Sequence, residues 1–161
     1  ERVIKIKGLD PKHRLSFICS DLSDISRYAQ VDNKHYRILR QRLPGPYTFI
    51  LPATKEVPRI VMTKAKTVGI RVPDSPVLLS LVEALGHPLI TTTAGKTERV
   101  TANPHDVYYY ADDIVADFSQ QVDIFLDGGT IMGEPSTIID LTKDPAEVLR
   151  HGAGDLEWLE E

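Results

Sequence analysis

Cysteine is nearly absent from this sequence, and long apolar runs are absent altogether. The single cysteine, Cys19, cannot form an internal disulfide, which excludes the disulfide framework of small secreted domains. No stretch approaches the roughly 20 apolar residues that cross a bilayer, and no charged segment followed by an apolar one opens the chain. We therefore expect a cytoplasmic protein that does not span a membrane.

A large excess of one charge is also missing. The chain has 19 Lys and Arg and 23 Asp and Glu, a net charge of −4. This balance argues against wrapping nucleic acid over the whole surface, although a local basic face can still bind phosphates. With 42% hydrophobic and 26% charged residues in 161 positions, the composition is that of a globular protein. We expect one domain over residues 1–161.

The motifs of common nucleotide and metal enzymes are missing as well. The sequence has no Walker-type glycine loop, no dinucleotide fingerprint, no HExxH and no Cys/His ligand set, so it predicts no protein-made metal site. His35, His87, His105 and His151 are scattered singly, which favours surface or capping histidines over general acid–base catalysis.

Short apolar segments alternate with amphipathic ones along the chain. Turn-bounded apolar and β-branched runs predict seven strands, at residues 15–19, 47–51, 67–72, 89–92, 122–126, 136–141 and 147–150. Helical spacing and cap residues predict helices after Ser20 or Asp21, at 33–43 with Asn33 as cap, at 76–85 and at 106–118, while residues 1–7 read as the end of another. This order predicts an α/β (α+β) fold, a twisted mixed sheet with flanking helices.

Hydroxyl-bearing, cationic and glycine-flanked residues recur at strand ends, where ligand sites of α/β sheets lie. Thr48 follows a rigid Pro-Gly-Pro turn, which is equally consistent with a plain connector. Arg71 lies in an otherwise apolar strand and needs an anionic partner, either a ligand or a structural carboxylate. In the run TTTAGK at 91–96, small residues favour close contact with a phosphate.

Three further sets extend this pattern. Ser136 and Thr137 open a strand, and Arg150 is a cation at a strand end. Lys7, followed by Lys12, His13 and Arg14, is able to clamp a triphosphate, although a solvated loop is the commoner state of such charges.

Together these motifs resemble the YrdC-like family in order and spacing. They are Lys7 before a strand, PGPYTFIL at 44–51, GIRVP at 69–73, PLITTTA at 88–94, PSTIID at 135–140 and LRHG at 149–152. The resemblance implies a concave, positively lined cavity and enzymes that make threonylcarbamoyl-AMP from L-threonine, bicarbonate and ATP. Pyrophosphate is released, and the product serves the threonylcarbamoyl modification of tRNA adenosine. Mg²⁺ accompanying ATP is the implied cofactor.

The resemblance also implies eight nucleotide- or substrate-binding residues. They are Lys7, Thr48, Arg71, Thr91, Thr93, Ser136, Thr137 and Arg150. Lys7 would hold phosphates. Thr48 and Arg71 would shape or line the cavity, and Thr91 and Thr93 would contact nucleotide or carbamate. Ser136, Thr137 and Arg150 would bind the AMP portion. The resemblance gives no catalytic base, because the chemistry is mostly positioning and charge stabilisation.

The sequence departs from the synthases of this family at three places. Leu9 stands where they have the arginine of a Lys-x-Arg pair, and Gly95 replaces the asparagine of Ser-x-Asn. Their upstream Pro-Thr-(Asp/Glu)-Thr-x-Tyr-Gly pattern is not in the chain, which opens at Glu1, so we expect the N-terminal strand and turn to be missing. With VDN at 31–33 and TKEVP at 54–58, these departures resemble the YciO branch and predict weak or altered synthase activity.

Three functions therefore stay open from the sequence. One is a nucleotidyltransferase that acts on ATP, L-threonine and bicarbonate. Another is a non-catalytic module that holds double-stranded RNA, tRNA or a nucleotide in the same basic cavity. The third is a degenerate structural partner, which would neither catalyse the reaction nor bind RNA or a nucleotide.

Overall fold

Six short strands form one mixed sheet in the computed structural model, which describes residues 1–10, 13, 15–59, 61–95, 107–130 and 133–159. The strands are β1 (Ser16–Ile18), β2 (Tyr47–Pro52), β3 (Thr67–Arg71), β4 (Leu89–Thr91), β5 (Thr137–Asp140) and β6 (Glu147–Arg150). Their order is β4-β1-β3-β2-β5-β6. The pairs β1–β3 and β2–β5 are parallel, and the other three are antiparallel. The predicted α/β fold with a mixed sheet is confirmed.

Helices lie between most of the strands. They are α1 (Arg2–Lys7), α2 (Leu22–Tyr28), α3 (Asn33–Arg42), α4 (Pro76–Leu85), α5 (Ala111–Phe118) and a short 3-10 helix, Glu157–Leu159. The side chain of Asp21 caps α2 by accepting from the Asp24 N–H at 2.8 Å. Asp32 caps α3 from the His35 N–H at 2.7 Å, so the predicted cap, Asn33, is instead the first helical residue. Within the described ranges, no helix combines the length and apolar character needed to cross a membrane.

The hydrophobic core lies on one face of the sheet. Side chains alternate between the two faces of a strand, and the residues of β1, β2, β3 and β5 that join the main apolar cluster are those at alternate positions. They include Phe17, Phe49, Leu51, Ile70 and Ile139. Ile25 of α2 and Leu39 of α3 belong to the same cluster and are fully buried, so these helices cover this face.

Two predicted elements differ in the structure. Residues 122–126 form no strand, and Ile124 is 77% exposed, so that prediction is wrong. The apolar pattern is that of a strand, but among the described residues no neighbouring strand pairs with it, and pairing is what makes a strand. The helix expected from residue 106 begins at Ala111, because Val107 is paired with Gly95 in an isolated antiparallel bridge and Tyr110 has an extended backbone at the N-cap. Asp106 lies outside the described residues.

Candidate functional site

A polar strip crosses the sheet on the face opposite the core. Five strands contribute one position each, and the residue directly before β5 supplies the sixth. We define the polar strip by these six residues: Thr91, Ser16, Gly69, Thr48, Ser136 and Arg150. Ser16 pairs with both Gly69 and Thr91 in register, and Arg150 pairs with Ile138. Since neighbouring strands lie about 4.8 Å apart, the strip is about 24 Å long. Five of the predicted site residues therefore share one face, with Arg71 two residues beyond Gly69.

Ser136 joins two strands of this strip. Its hydroxyl lies 2.9 Å from that of Thr48 and accepts a hydrogen bond from Arg150 Nη2 at 3.0 Å. Arg150 Nε also donates to the Ser136 carbonyl at 2.9 Å. The bond between Thr48 and Ser136 is buried, and the two bonds from Arg150 are partly buried. Ser136 therefore orients the Arg150 guanidinium, which two bonds fix to one residue.

Arg71 brings a second cation to the same face. Burial lowers the pKa of its guanidinium, and burial together with the charge of Arg71 lowers the pKa of Arg150. Arg71 Nε is buried and has no hydrogen-bond partner among the described residues, and none of their carboxylates forms an ion pair with Arg71. The part of the chain that the structure describes therefore contains no structural carboxylate paired with Arg71, which was one of the two alternatives. Two neighbouring guanidiniums on a hydroxyl-lined face suit an anion.

Lys7 contacts the segment that follows β4, which also contains Thr93. The Lys7 ammonium donates to the Gly95 carbonyl and lies 5.3 Å from the centroid of the Phe118 ring. The Gly95 N–H donates to the Thr93 carbonyl at 2.9 Å. Burial lowers the pKa of Lys7, while the charge of Asp117 acts in the opposite direction. The ammonium is thus held by the segment that follows β4 and by α5.

Thr91 and Ser16 link this end to the rest of the polar strip. Their hydroxyl oxygens are 3.2 Å apart, and Thr91 Oγ1 also approaches the Ser16 carbonyl at 3.3 Å. Ser16 is a site residue that the sequence reasoning missed, because it stands inside an apolar run. The available signal was its place between Leu15 and Phe17, since a polar residue at an alternate position of a strand faces away from the core.

Gly69 keeps the middle of the polar strip open. A Cβ atom added there would lie 3.3 Å from Ser16 Cβ and 3.5 Å from Thr48 Cγ2. Any larger side chain would therefore stand between the two hydroxyl-bearing neighbours. The glycine lets a ligand approach the backbone of β3 closely.

Thr137 is not brought together with the other predicted residues. Its side chain is fully buried on the core face. Its hydroxyl donates to the Gly154 carbonyl and accepts from the Gly154 N–H, both at 2.8 Å. In this structure Thr137 ties β5 to the segment after β6, and its predicted contact with AMP stays a prediction.

The positions that depart from the family pattern have structural roles. Leu9 is 6% exposed and belongs to the hydrophobic core, and Gly95 forms an isolated bridge with Val107. Lys12, Arg14 and Lys96 lie outside the described residues.

Neither a nucleophilic cysteine nor a metal centre is found in the part of the chain that the structure describes. Cys19 is completely buried, and burial and the Asp24 carboxylate raise the pKa of its thiol. Among the described His, Cys, Asp and Glu residues, no group of three or more is placed to hold a metal ion. The described site therefore offers cations, hydroxyls and backbone groups.

Known proteins resemble this chain over nearly its whole length. The Sua5/YciO/YrdC family model, described as telomere recombination, matches residues 1–152. The protein YciO of Escherichia coli strain K12 is 39% identical over 160 residues, which are 98% of this chain and 74% of YciO. A threonylcarbamoyl-AMP synthase of Pyrococcus abyssi is 29% identical over 162 residues, 99% of this chain and 46% of the synthase.

Solved structures show the same relationship. The crystal structure of E. coli YciO matches with a TM-score of 0.85 at 38% identity and covers 97% of this chain and 74% of that one. The crystal structure of P. abyssi Sua5 complexed with L-threonine matches with a TM-score of 0.86 at 27% identity, over 99% of this chain and 46% of Sua5. This chain thus spans less than half of the longer archaeal protein.

Proposed function

Because this chain belongs to the Sua5/YciO/YrdC family, with the predicted similarity to YciO confirmed, we propose that its polar strip binds MgATP and supports synthesis of threonylcarbamoyl-AMP. The amine of L-threonine takes up bicarbonate to give a carbamate and water, and a carbamate oxygen then attacks the α-phosphorus of ATP. The bond from that phosphorus to its bridging oxygen breaks, and pyrophosphate leaves. The product would donate the threonylcarbamoyl group to tRNA adenosine.

The observation that carries the proposal is the pair of guanidiniums on one polar face. Arg150 is fixed by Ser136, and Arg71 retains a buried Nε with no described partner. The attacked phosphate and the departing pyrophosphate concentrate negative charge, and fixed cations stabilise such charge without reorganising. We assign Arg150 and Ser136 to the AMP phosphate and Arg71 to the reacting carbamate and phosphates.

The remaining residues position the substrates. Thr48 holds the Ser136 hydroxyl, and Thr91 and Thr93 offer hydroxyls for the nucleotide or the carbamate. Lys7 would hold the terminal phosphates by exchanging its Gly95 carbonyl partner for a phosphate oxygen. Mg²⁺ enters as part of the MgATP substrate, because this ion is commonly bound through phosphates and water with few protein ligands.

The activity should be weaker than that of enzymes with a Lys-x-Arg pair. Leu9 occupies the second position of that pair and is packed in the core, so no side chain from that position reaches a phosphate. A missing charge-assisted hydrogen bond costs about 1.5–3 kcal/mol, a rate loss of roughly tenfold to a hundredfold if it acts in the transition state.

The test is release of pyrophosphate from MgATP in the presence of L-threonine and bicarbonate. We expect release to require both co-substrates and threonylcarbamoyl-AMP to be found by mass spectrometry. Matched reactions omit threonine or bicarbonate, and Arg59→Met serves as a control, since Arg59 is an exposed arginine outside the polar strip. Pyrophosphate release without threonine or without bicarbonate would contradict the proposed reaction. So would the absence of pyrophosphate release at high enzyme concentration.

A non-catalytic nucleotide-binding module is the second candidate. It is favoured by the Lys7 ammonium, which a backbone carbonyl and an aromatic ring already hold. In that case calorimetry would detect ATP binding that depends on Arg71, without pyrophosphate release under any combination of co-substrates.

A further inference from the structure

Strand β6 contains one residue more than its partner strand requires. Ile139 of β5 pairs with Val148 of β6. The preceding residue of β5, Ile138, pairs with Arg150, so β6 advances by two residues while β5 advances by one. The extra residue, Leu149, is 43% exposed. This arrangement is a β-bulge, a feature that often re-aims a side chain beside a functional site.

The β-bulge turns Arg150 toward the polar strip. Residues two apart in a regular strand share a face, so Val148 and Arg150 would otherwise point in the same direction. Val148 pairs with Ile139, which belongs to the hydrophobic core. Arg150 pairs instead with Ile138, whose other partner is Thr48 of the polar strip. Because paired residues of neighbouring strands point to the same face, the extra residue is what brings Arg150 to the polar face.

Gly152 lies against the backbone of residues 135 and 136 with no room for a side chain. An added Cβ would be 2.1 Å from the Pro135 carbonyl oxygen and 2.9 Å from the Ser136 carbonyl oxygen. Both atoms belong to the main chain, so no side-chain rotation could relieve the overlap. The Ala153 N–H donates to the same Pro135 carbonyl at 2.9 Å, which holds the two segments together. Gly152 does not have a positive φ, so glycine is required here for space.

The close approach at Gly152 occurs at the group that holds Arg150. The Ser136 carbonyl, which an added Cβ would crowd, accepts the hydrogen bond from Arg150 Nε at 2.9 Å. A methyl group at position 152 would therefore push the Arg150 segment away from its acceptor. On the other side, the Thr137 hydroxyl holds Gly154 through two bonds of 2.8 Å and limits how far this segment can shift.

We propose that Gly152 is a positioning residue for the polar strip. Together with the bulge at Leu149, it sets the Arg150 guanidinium against Ser136 and thereby places a cation where a nucleotide phosphate binds. Gly152 needs no contact with the ligand, because it acts through Arg150. The phosphate rests on the proposed function, whereas the placement of Arg150 does not depend on it.

The first test follows the Nε–H group of Arg150 by ¹⁵N–¹H NMR, its signal being the one that Arg150→Met removes. Because this group donates to the Ser136 carbonyl, its exchange with water should be slow in the unaltered protein. We expect Gly152→Ala to shift the signal and to speed the exchange at least about tenfold. An unchanged signal would overturn the proposal.

Tyr47→Phe is the matched control for this measurement. It removes the hydroxyl that donates to the Asp155 carbonyl at 3.0 Å and so loosens the same segment without a change beside Arg150. The Arg150 signal should stay in place, and equal effects of the two variants would contradict a specific role for Gly152. Thermal melting checks that each variant folds. If Gly152→Ala does not fold, Thr137→Val decides, because loss of its hydroxyl bonds should speed exchange of the same group, and no change would overturn the proposal.

The second test is calorimetry of MgATP binding. Gly152→Ala should weaken binding roughly tenfold in the otherwise unaltered protein and less than about twofold when Arg150→Met is already present, because the glycine acts through that arginine. Equal losses in both backgrounds would mean a general structural effect and would overturn the proposal. No MgATP binding by the unaltered protein, together with the expected NMR result, would refute the proposed function and leave the placement of Arg150 by Gly152 intact.

Discussion

Arg71 and Arg150 share a face of the sheet but differ in what the fold offers them. Ser136 satisfies two donors of Arg150, whereas Arg71 Nε is buried without a described partner. Burying an unpaired donor costs free energy, so Arg71 is expected to oppose folding and to serve ligand binding. The two arginines should therefore respond differently to the same substitution.

We predict that Arg71→Met lowers the affinity for MgATP by at least about tenfold, because a charge-assisted contact is lost. Its free energy of unfolding should stay level or rise, since the unpaired donor is removed. Arg150→Met should lose about 1–2 kcal/mol of stability, because Ser136 loses its donor. Calorimetry and urea unfolding measure the two quantities. Greater destabilisation by Arg71→Met than by Arg150→Met would contradict this assignment.

The segment after β6 ties several elements together. Gly154 bonds to Thr137, and the Asp155 carbonyl accepts from the Tyr47 hydroxyl at 3.0 Å and from Trp158 Nε1 at 2.9 Å. The Arg42 guanidinium at the end of α3 lies 5.0 Å from the centroid of the Trp158 ring. This segment thus packs against α3, β2 and β5 and supports the strands that carry Thr48 and Ser136.

Gly154→Ala tests this packing. An added Cβ would lie 2.4 Å from Tyr47 Cε1, too close for any real contact, so Tyr47 must move. We expect a loss of about 1–3 kcal/mol in the free energy of unfolding. Gly69→Ala is the matched control, since its nearest contact is 3.3 Å, and it should cost less. Equal losses in urea unfolding would show that the segment after β6 does not pack as described.

The polar strip runs across the sheet from β4 to β6, so a ligand that covered its whole length would contact both edge strands. A ligand that binds only the folded state stabilises it by about 2.7 kcal/mol at 100 times its dissociation constant. For a chain of this size we expect MgATP to raise the melting temperature by roughly 5–10 °C. Differential scanning fluorimetry measures the shift, with Mg²⁺ alone as one control and Arg71→Met as the other. The same shift in Arg71→Met would exclude the polar strip as the binding site.

Local patterns predicted most elements to within about two residues, because periodicity, caps and breakers act within a few residues of each other. Strand β6 and helix α4 have the predicted bounds. Helix α4 is delimited directly by its cap residue Ser75, by Pro76 at its first position and by Gly86 at its end. The strand predicted at 122–126 is wrong because strand formation depends on more than the local pattern. Its pattern is local, but a strand also needs a neighbour, and no local signal reveals whether one is present.

The sequence by itself determined the α/β class, most helices and strands, the family, and five candidate residues that share one sheet face: Thr48, Arg71, Thr91, Ser136 and Arg150. Only the tertiary structure decided that Thr137 turns to the core, that Ser16 and Gly69 belong to the polar strip, and that Lys7 contacts Gly95. The reason is that a one-residue step reverses the face of a strand, and that strand order and register depend on partners distant in sequence.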